Sequence, residues 1–174
     1  MKSKIIILML SLAFMGAKCM GQQTPFIQGI TATIPADAVK LNKEQLLAFA
    51  SEKKYDKPFA YFNFKNIYRL NNMILAFYDL KGHFQGLDED KRGLESMYRK
   101  TAPGLNFHAT MQKINGIRIL TTSYVDKDVI VYYFHSSNNT NTLGLNGSIQ
   151  CGTVDKAEAE AVLDKIIKSI RLEE

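Results

Sequence analysis

The sequence lacks the spacings that carry most protein chemistry. No HExxH or HxH pair, no CxxC, no GxSxG and no phosphate-binding glycine loop occurs in its 174 residues. Zinc hydrolysis, serine-type acyl transfer and nucleotide binding therefore have no local motif to rest on. Cysteine is nearly absent, with only Cys19 and Cys151. There is no internal repeat, no heptad array and no low-complexity stretch. Long apolar runs are missing as well, except for one at the beginning.

That run has the layout of a secretory signal peptide. Lys2 and Lys4 form a basic start, and Ile5 to Gly16 follow as an apolar segment interrupted only by Ser11. It is short for a membrane span. Small residues at Cys19 and Gly21 predict cleavage before Gln22, giving residues 1–21 as signal peptide and 22–174 as one domain. The reading is of an exported bacterial protein, periplasmic or secreted. Lipidation at Cys19 is the alternative, and it would anchor the protein to a membrane. Lys18 argues against it, because it stands where a lipoprotein signal carries a small residue.

Removing this segment changes the charge. The full chain carries 22 basic and 17 acidic residues. Lys2, Lys4 and Lys18 leave with the signal, so the remaining excess is about two, with no clustered basic surface for nucleic acid. Only Cys151 remains, which excludes an internal disulfide.

The mature chain reads as alternating short elements. Ile30–Ile34 predicts a strand that stops at Pro35, after a leader over Gln22–Gly29. Asn42 with Gln45 forms a capping box for a helix running to Lys53 or Lys54. An aromatic hairpin follows over 58–78, turning at Asn71-Asn72. Asp88 opens a second helix through Lys100, with Leu94, Met97 and Tyr98 facing inward. Asn115-Gly116 is the strongest short hairpin signal in the chain, joining the first two strands of a four-stranded meander from Phe107 to Cys151. Asp155 and Glu158 suggest another capping box. Ala159, Val162, Leu163, Ile166, Ile167 and Ile170 then repeat at helical spacing and predict a helix buried against the sheet.

The class is α+β, a curved antiparallel β-sheet with helices packed on it. The run Ile117-Arg118-Ile119-Leu120-Thr121-Thr122, the strand Val129–Phe134 and the closing helix Asp155–Leu172 resemble the end of the Mog1/PsbP-like α/β sandwich. Ile30–Ile34 resembles its opening strand. The resemblance covers most of residues 26–172 and departs from the family pattern over 55–79. It implies a binding or accessory role, as in exported bacterial members, and transfers no catalytic residue.

Candidate chemistry is sparse. His108 and His135 are placed on strands of the meander and could begin a hydrolase-type or metal site if they approached one another, but no further ligand spacing accompanies them. No metal or cofactor is expected. Cys151 shares the alternation of Leu143, Leu145 and Ile149 and reads as a buried small hydrophobe. Asp88, Glu89 and Asp90 suit a helix start, and Asp126 and Asp128 a turn. The aromatic section offers a partner or ligand surface at Tyr61, Phe62, Tyr68, Arg69 and Tyr78.

The functional expectation is an exported, non-enzymatic accessory or binding protein of the bacterial cell envelope, acting on an unknown protein or small ligand. A carrier with an apolar cavity between sheet and helices is the second reading, and the hydrolase the third. Mass spectrometry of the exported protein checks the processing. A chain beginning at Gln22, cyclised to pyroglutamate, is expected, whereas an acylated Cys19 would make it a membrane-anchored protein.

Overall fold

The turn at Asn115-Gly116 sets the largest element of the structure, a computed structural model that describes residues 22–55 and 65–173. Both turn residues have positive φ (53° and 81°), as a two-residue hairpin of matching twist requires. The turn joins β6 (His108–Ile114) to β7 (Ile117–Asp126), and a second tight turn with Lys127 at φ 54° leads into β8 (Val129–Ser137). Asn138 organises the next loop, its Oδ1 accepting from the backbone N–H of Thr142 (2.8 Å) and Leu143 (3.1 Å). β9 (Leu143–Gly152) then completes the expected meander.

The meander is part of a wider sheet. The hairpin β4 (Asn66–Leu70) and β5 (Met73–Lys81) adds to β9 through β5, and the two-residue β3 (Val39–Lys40) lies outside β4. The resulting order is β3-β4-β5-β9-β8-β7-β6, antiparallel throughout. A smaller sheet is made by β1 (Gln22–Pro25), β2 (Ile30–Ile34) and β10 (Arg171–Leu172), in the order β1-β2-β10. Residues 22–25 thus pair with β2 and are not a free leader.

Strand alternation gives the large sheet two faces. The front face carries Met73, Leu75, Phe77, Ile130, Tyr132, Phe134, Leu145, Ile149 and Cys151. It is covered by the small sheet and by α3 (Lys156–Ser169), whose Ala159, Val162, Leu163, Ile166 and Ile167 are buried as the spacing predicted. At roughly 1.5–3 kcal/mol for each large aliphatic side chain buried, this stripe is a main source of stability. Ser169 closes the contact by accepting from the Thr33 N–H at 2.8 Å.

The back face is covered by two helices at different places. α1 (Lys43–Glu52) sets Leu46, Phe49 and Ala50 against Ile74 and Ala76, and its Asn42–Gln45 capping box is formed in both directions. α2 (Leu87–Thr101) lies over β7 and β8. Its seating differs from expectation. Leu87 is its buried residue, Met97 is 45% exposed, and Tyr98 stacks on Phe107 with ring centroids 4.3 Å apart. Gly86, not Asp88, is the N-cap, and Asp88 instead pairs with Arg118 at 2.6 Å. The second expected box is also absent: Asp155 caps nothing through its side chain, and a 3₁₀ turn over Thr153–Asp155 precedes α3. Its carboxylate accepts from Asn72 Nδ2 (3.4 Å), and that of Glu158 from Asn71 Nδ2 (2.6 Å). Both tie the β4–β5 turn to the start of α3.

Gly147 lies at the centre of the front face. A methyl group there would run into the Phe134 ring and reach the Ala76 carbonyl at 3.0 Å. Gly144 is crowded too, against the Ser136 carbonyl and Phe84. The register of β9 runs unbroken through both against β5, and through Gly147 against β8 as well, so Gly147 marks a close crossing and not a bulge. Gly147→Ala should cost about 1–3 kcal/mol through overpacking, measured by urea denaturation, and Phe134→Leu in the same chain should recover part of that loss. Two independent, additive losses would show that ring and glycine are not coupled.

Candidate functional site

Four loops meet at one end of the large sheet. The last turn of α1 supplies Lys53, Lys54 and Tyr55, with Lys54 at φ 57°. The β4–β5 turn supplies Asn72, the β7–β8 turn Asp126, Lys127 and Asp128, and the exit from β9 Gly152 to Asp155. Together with Tyr124, Val129, Val131 and Gln150 on the strands they enclose a cleft of about 600 Å³.

The hydrogen bonds show why these loops hold their positions. Tyr55 donates its hydroxyl to the Asn72 carbonyl at 2.6 Å, and its N–H to Ala50 at 2.8 Å. Thr153 N–H donates to the Asp128 carbonyl at 2.8 Å. Asn72 reaches Asp155 as described above, so each wall is fastened to its neighbour. The floor and rim differ in character. Burial pushes the phenols of Tyr55 and Tyr124 up to about 12, so both are neutral hydrogen-bonding groups at physiological pH. The charges, three lysines and three aspartates, stand around them. On the rim Val154 is 91% exposed, by far the barest large hydrophobic side chain among the described residues.

The surface expected from sequence is not assembled as one patch. Tyr68 is a correction: it is 6% exposed, on the front face, in edge contact with Phe77 at 6.0 Å between centroids. β-strand alternation puts Arg69 on the opposite face, where its guanidinium lies over the Phe49 ring at 5.5 Å. Tyr78 shares that back face and is half-buried. Tyr61 and Phe62 lie outside the described residues. The residues that sequence reading missed are Tyr55, Tyr124 and Val154. Their local signals were faint, since two sit at the ends of regular elements and the valine is in a stretch that reads as ordinary helix approach.

The histidines do not converge. His108 pairs with Ser123, which pairs in turn with Tyr132, so His108 shares the front face of Tyr132. His135 pairs with Leu120 and points to the back face beneath α2. The sheet itself separates them, which removes the arrangement required by the hydrolase reading. Burial holds the His135 imidazole below its ordinary value, opposed by Asp90 on α2. Asp90 is in turn held above its own value by burial, opposed by His135. His83 borders a separate and more open depression of about 780 Å³ with Gly82, Thr142 and Glu173. No group of three or more His, Cys, Asp or Glu side chains suited to a metal is found among the described residues.

The apolar carrier is not favoured by these clefts either. The front-face layer is filled by Phe77, Phe134, Leu75, Ile119 and Leu145, and the largest openings described lie at loop ends with charged groups around them. No described helix is long and apolar enough to cross a membrane.

Cys151 is fully buried, 0% exposed, among the front-face aliphatics. Burial, with Asp155, Glu158 and Glu160 adding to it, pushes its thiol from 9.0 up to about 12. The folded state therefore holds this proton more tightly than the unfolded chain does, and its contribution to stability is complete below pH 9 and lost as pH rises toward 12. Native Cys151 should react with a maleimide only at the rate of unfolding. The thermal midpoint should fall between pH 9 and 12, less steeply for Cys151→Ala; rapid labelling of the native protein at pH 7 would contradict the burial.

No family model and no curated protein matches the sequence. Among solved structures, the chain is similar to the solution structure of cyanobacterial PsbP (CyanoP) from Synechocystis sp. PCC 6803, at 10% identity, a TM-score of 0.54, and coverage of 90% of this chain and 95% of that one. At that identity the likeness is one of architecture. The chain has the PsbP-like fold, an α/β sandwich of antiparallel sheet and packed helices.

Proposed function

We propose that this is an exported, non-enzymatic binding or accessory protein of the bacterial cell envelope, and that it binds a protein partner through the cleft between α1, the β7–β8 turn and the entry to α3. The observation that carries this reading is Val154. It is 91% exposed at the rim of a cleft of about 600 Å³ whose walls are pinned by hydrogen bonds. A bare aliphatic side chain at the rim, beside lysines, aspartates and two phenols of the same cleft, joins apolar and polar groups in one contact surface. Neutral phenols at Tyr55 and Tyr124 add hydrogen-bonding groups that cost little to desolvate compared with ions.

The chain's reactive groups give this reading further support. Cys151 is sealed inside, and His108 and His135 lie on opposite faces of the sheet. The export signal at residues 1–21 supplies the compartment in this proposal, and Cys19 decides whether the protein is free or anchored.

Site-specific photocrosslinking in intact cells tests the contact. A benzophenone side chain at position 154 is expected to give one discrete adduct with an envelope protein, and Lys54→Glu with Lys127→Glu should weaken it severalfold. The same probe at exposed Val39, on the edge strand β3 and outside the cleft lining, is the control. Equal yields at 154 and 39 would remove the cleft from the reading.

A further inference from the structure

The large sheet ends differently on its two sides. One edge is β3, only two residues long. The other is β6, seven residues without proline, in unbroken register with β7 from His108↔Ser123 to Ile114↔Ile117. Natural sheets shield such an edge by shortening it, bending it with a bulge, inserting proline or covering it. Among the described residues no strand pairs with the outer side of β6, and Lys113 is its one charged residue apart from the titratable His108.

The hairpin turn determines which backbone groups face outward. In a two-residue hairpin the residues flanking the turn exchange both hydrogen bonds. Ile114 therefore bonds to Ile117, and by alternation Gln112, Thr110 and His108 also bond to β7. Ala109, Met111 and Lys113 direct their N–H and C=O groups away from the sheet. These groups form a ready template for an extended strand.

We infer that β6 pairs antiparallel with β6 of a second copy of this chain, about a two-fold axis through Met111. This goes beyond the binding role proposed above and uses a surface separate from the cleft. In that register Met111 faces its own counterpart, Ala109 faces Lys113, Thr110 faces Gln112 and His108 faces Ile114. No like charges are opposed. Every residue keeps its parity, so front joins front and back joins back across the axis.

Two further observations favour a second copy over an unrelated strand. Ala109 lines a small cleft of about 310 Å³ together with Glu95, Tyr98 and Arg99 of α2. Lys113 of the second copy arrives opposite Ala109 on the face that carries α2, where Glu95, held by Lys91 only at 3.8 Å, and Arg99 line the same cleft. Moreover, β3 is too short to receive β6, so the contact cannot continue head to tail and closes as a symmetric dimer.

Sedimentation of the protein purified from its own cells, over a micromolar to millimolar series, reads the mass. A dimer is expected. Met111→Pro should convert it to a monomer with an unchanged far-ultraviolet spectrum, because the residue 111 N–H takes no part in the β6–β7 ladder. Met111→Cys gives a readout independent of proline. Hydrogen-bonded antiparallel partners have Cα atoms about 5.5 Å apart, within disulfide range, so this variant should oxidise to a covalent dimer while Thr110→Cys does not. A monomer throughout the series, a dimer that survives Met111→Pro, or equal crosslinking of the two cysteine variants would each overturn the inference. Failure at Val154 would leave this result untouched, and the reverse also holds.

Discussion

The front-face layer is organised around one close contact, the Phe134 ring lying across Gly147 on the neighbouring strand. A side chain at 147 would have to occupy the space of that ring. Phe134 in turn meets Phe77 at 6.3 Å between centroids, and Phe77 meets Phe26 at 5.7 Å and Tyr68 at 6.0 Å. One missing Cβ therefore lets a large ring lie flat at the centre of the sheet. Three further aromatic side chains, from β5, β4 and the segment before β2, come together with it. Interiors packed to crystal density leave little slack around such a centre, which makes the positions of α3 and the small sheet depend on it.

The two faces divide the work. The front face is dry, filled by aliphatic and aromatic side chains and sealed by α3. The back face is more polar and less completely covered. Buried Thr122, Ser148 and Gln150 lie there, and α2 rests on it chiefly through Leu87, Tyr98 and an ion pair. The front layer thus provides rigidity, while the back face and the sheet edges offer the surfaces on which contacts can be made.

Much of this was legible in the sequence where the signal is local. Asn115-Gly116, the Ile30–Ile34 strand ended by Pro35, the Asn42–Gln45 box and the stripe from Ala159 to Ile170 each specify their element through backbone geometry or periodicity. What was not legible depends on partners distant in the chain. Asp155 and Glu158 have the spacing of a capping box, yet Asn71 and Asn72 compete for their oxygens from 83 and 87 residues away. Asp88 likewise leaves the helix terminus for Arg118. Tyr68 alternates with residues of either face equally well, and only pairing with β5 decides that it points inward. The cleft is harder still, because it is made by four loops with no sequence pattern in common. His108 and His135 could be placed on strands from sequence, but not on opposite sides of the sheet.

The closing contacts also impose an order in time. Thr33 is hydrogen-bonded to Ser169, and β10 completes the small sheet by pairing with β2. The front layer needs α3 for its cover, so a chain emerging amino-terminus first cannot seal its interior until nearly all of it has appeared. Non-local closure of this kind slows folding relative to chains rich in local contacts. Under the export proposed above, that delay is an advantage: the chain would stay unlocked during passage and acquire its finished interior only on the far side.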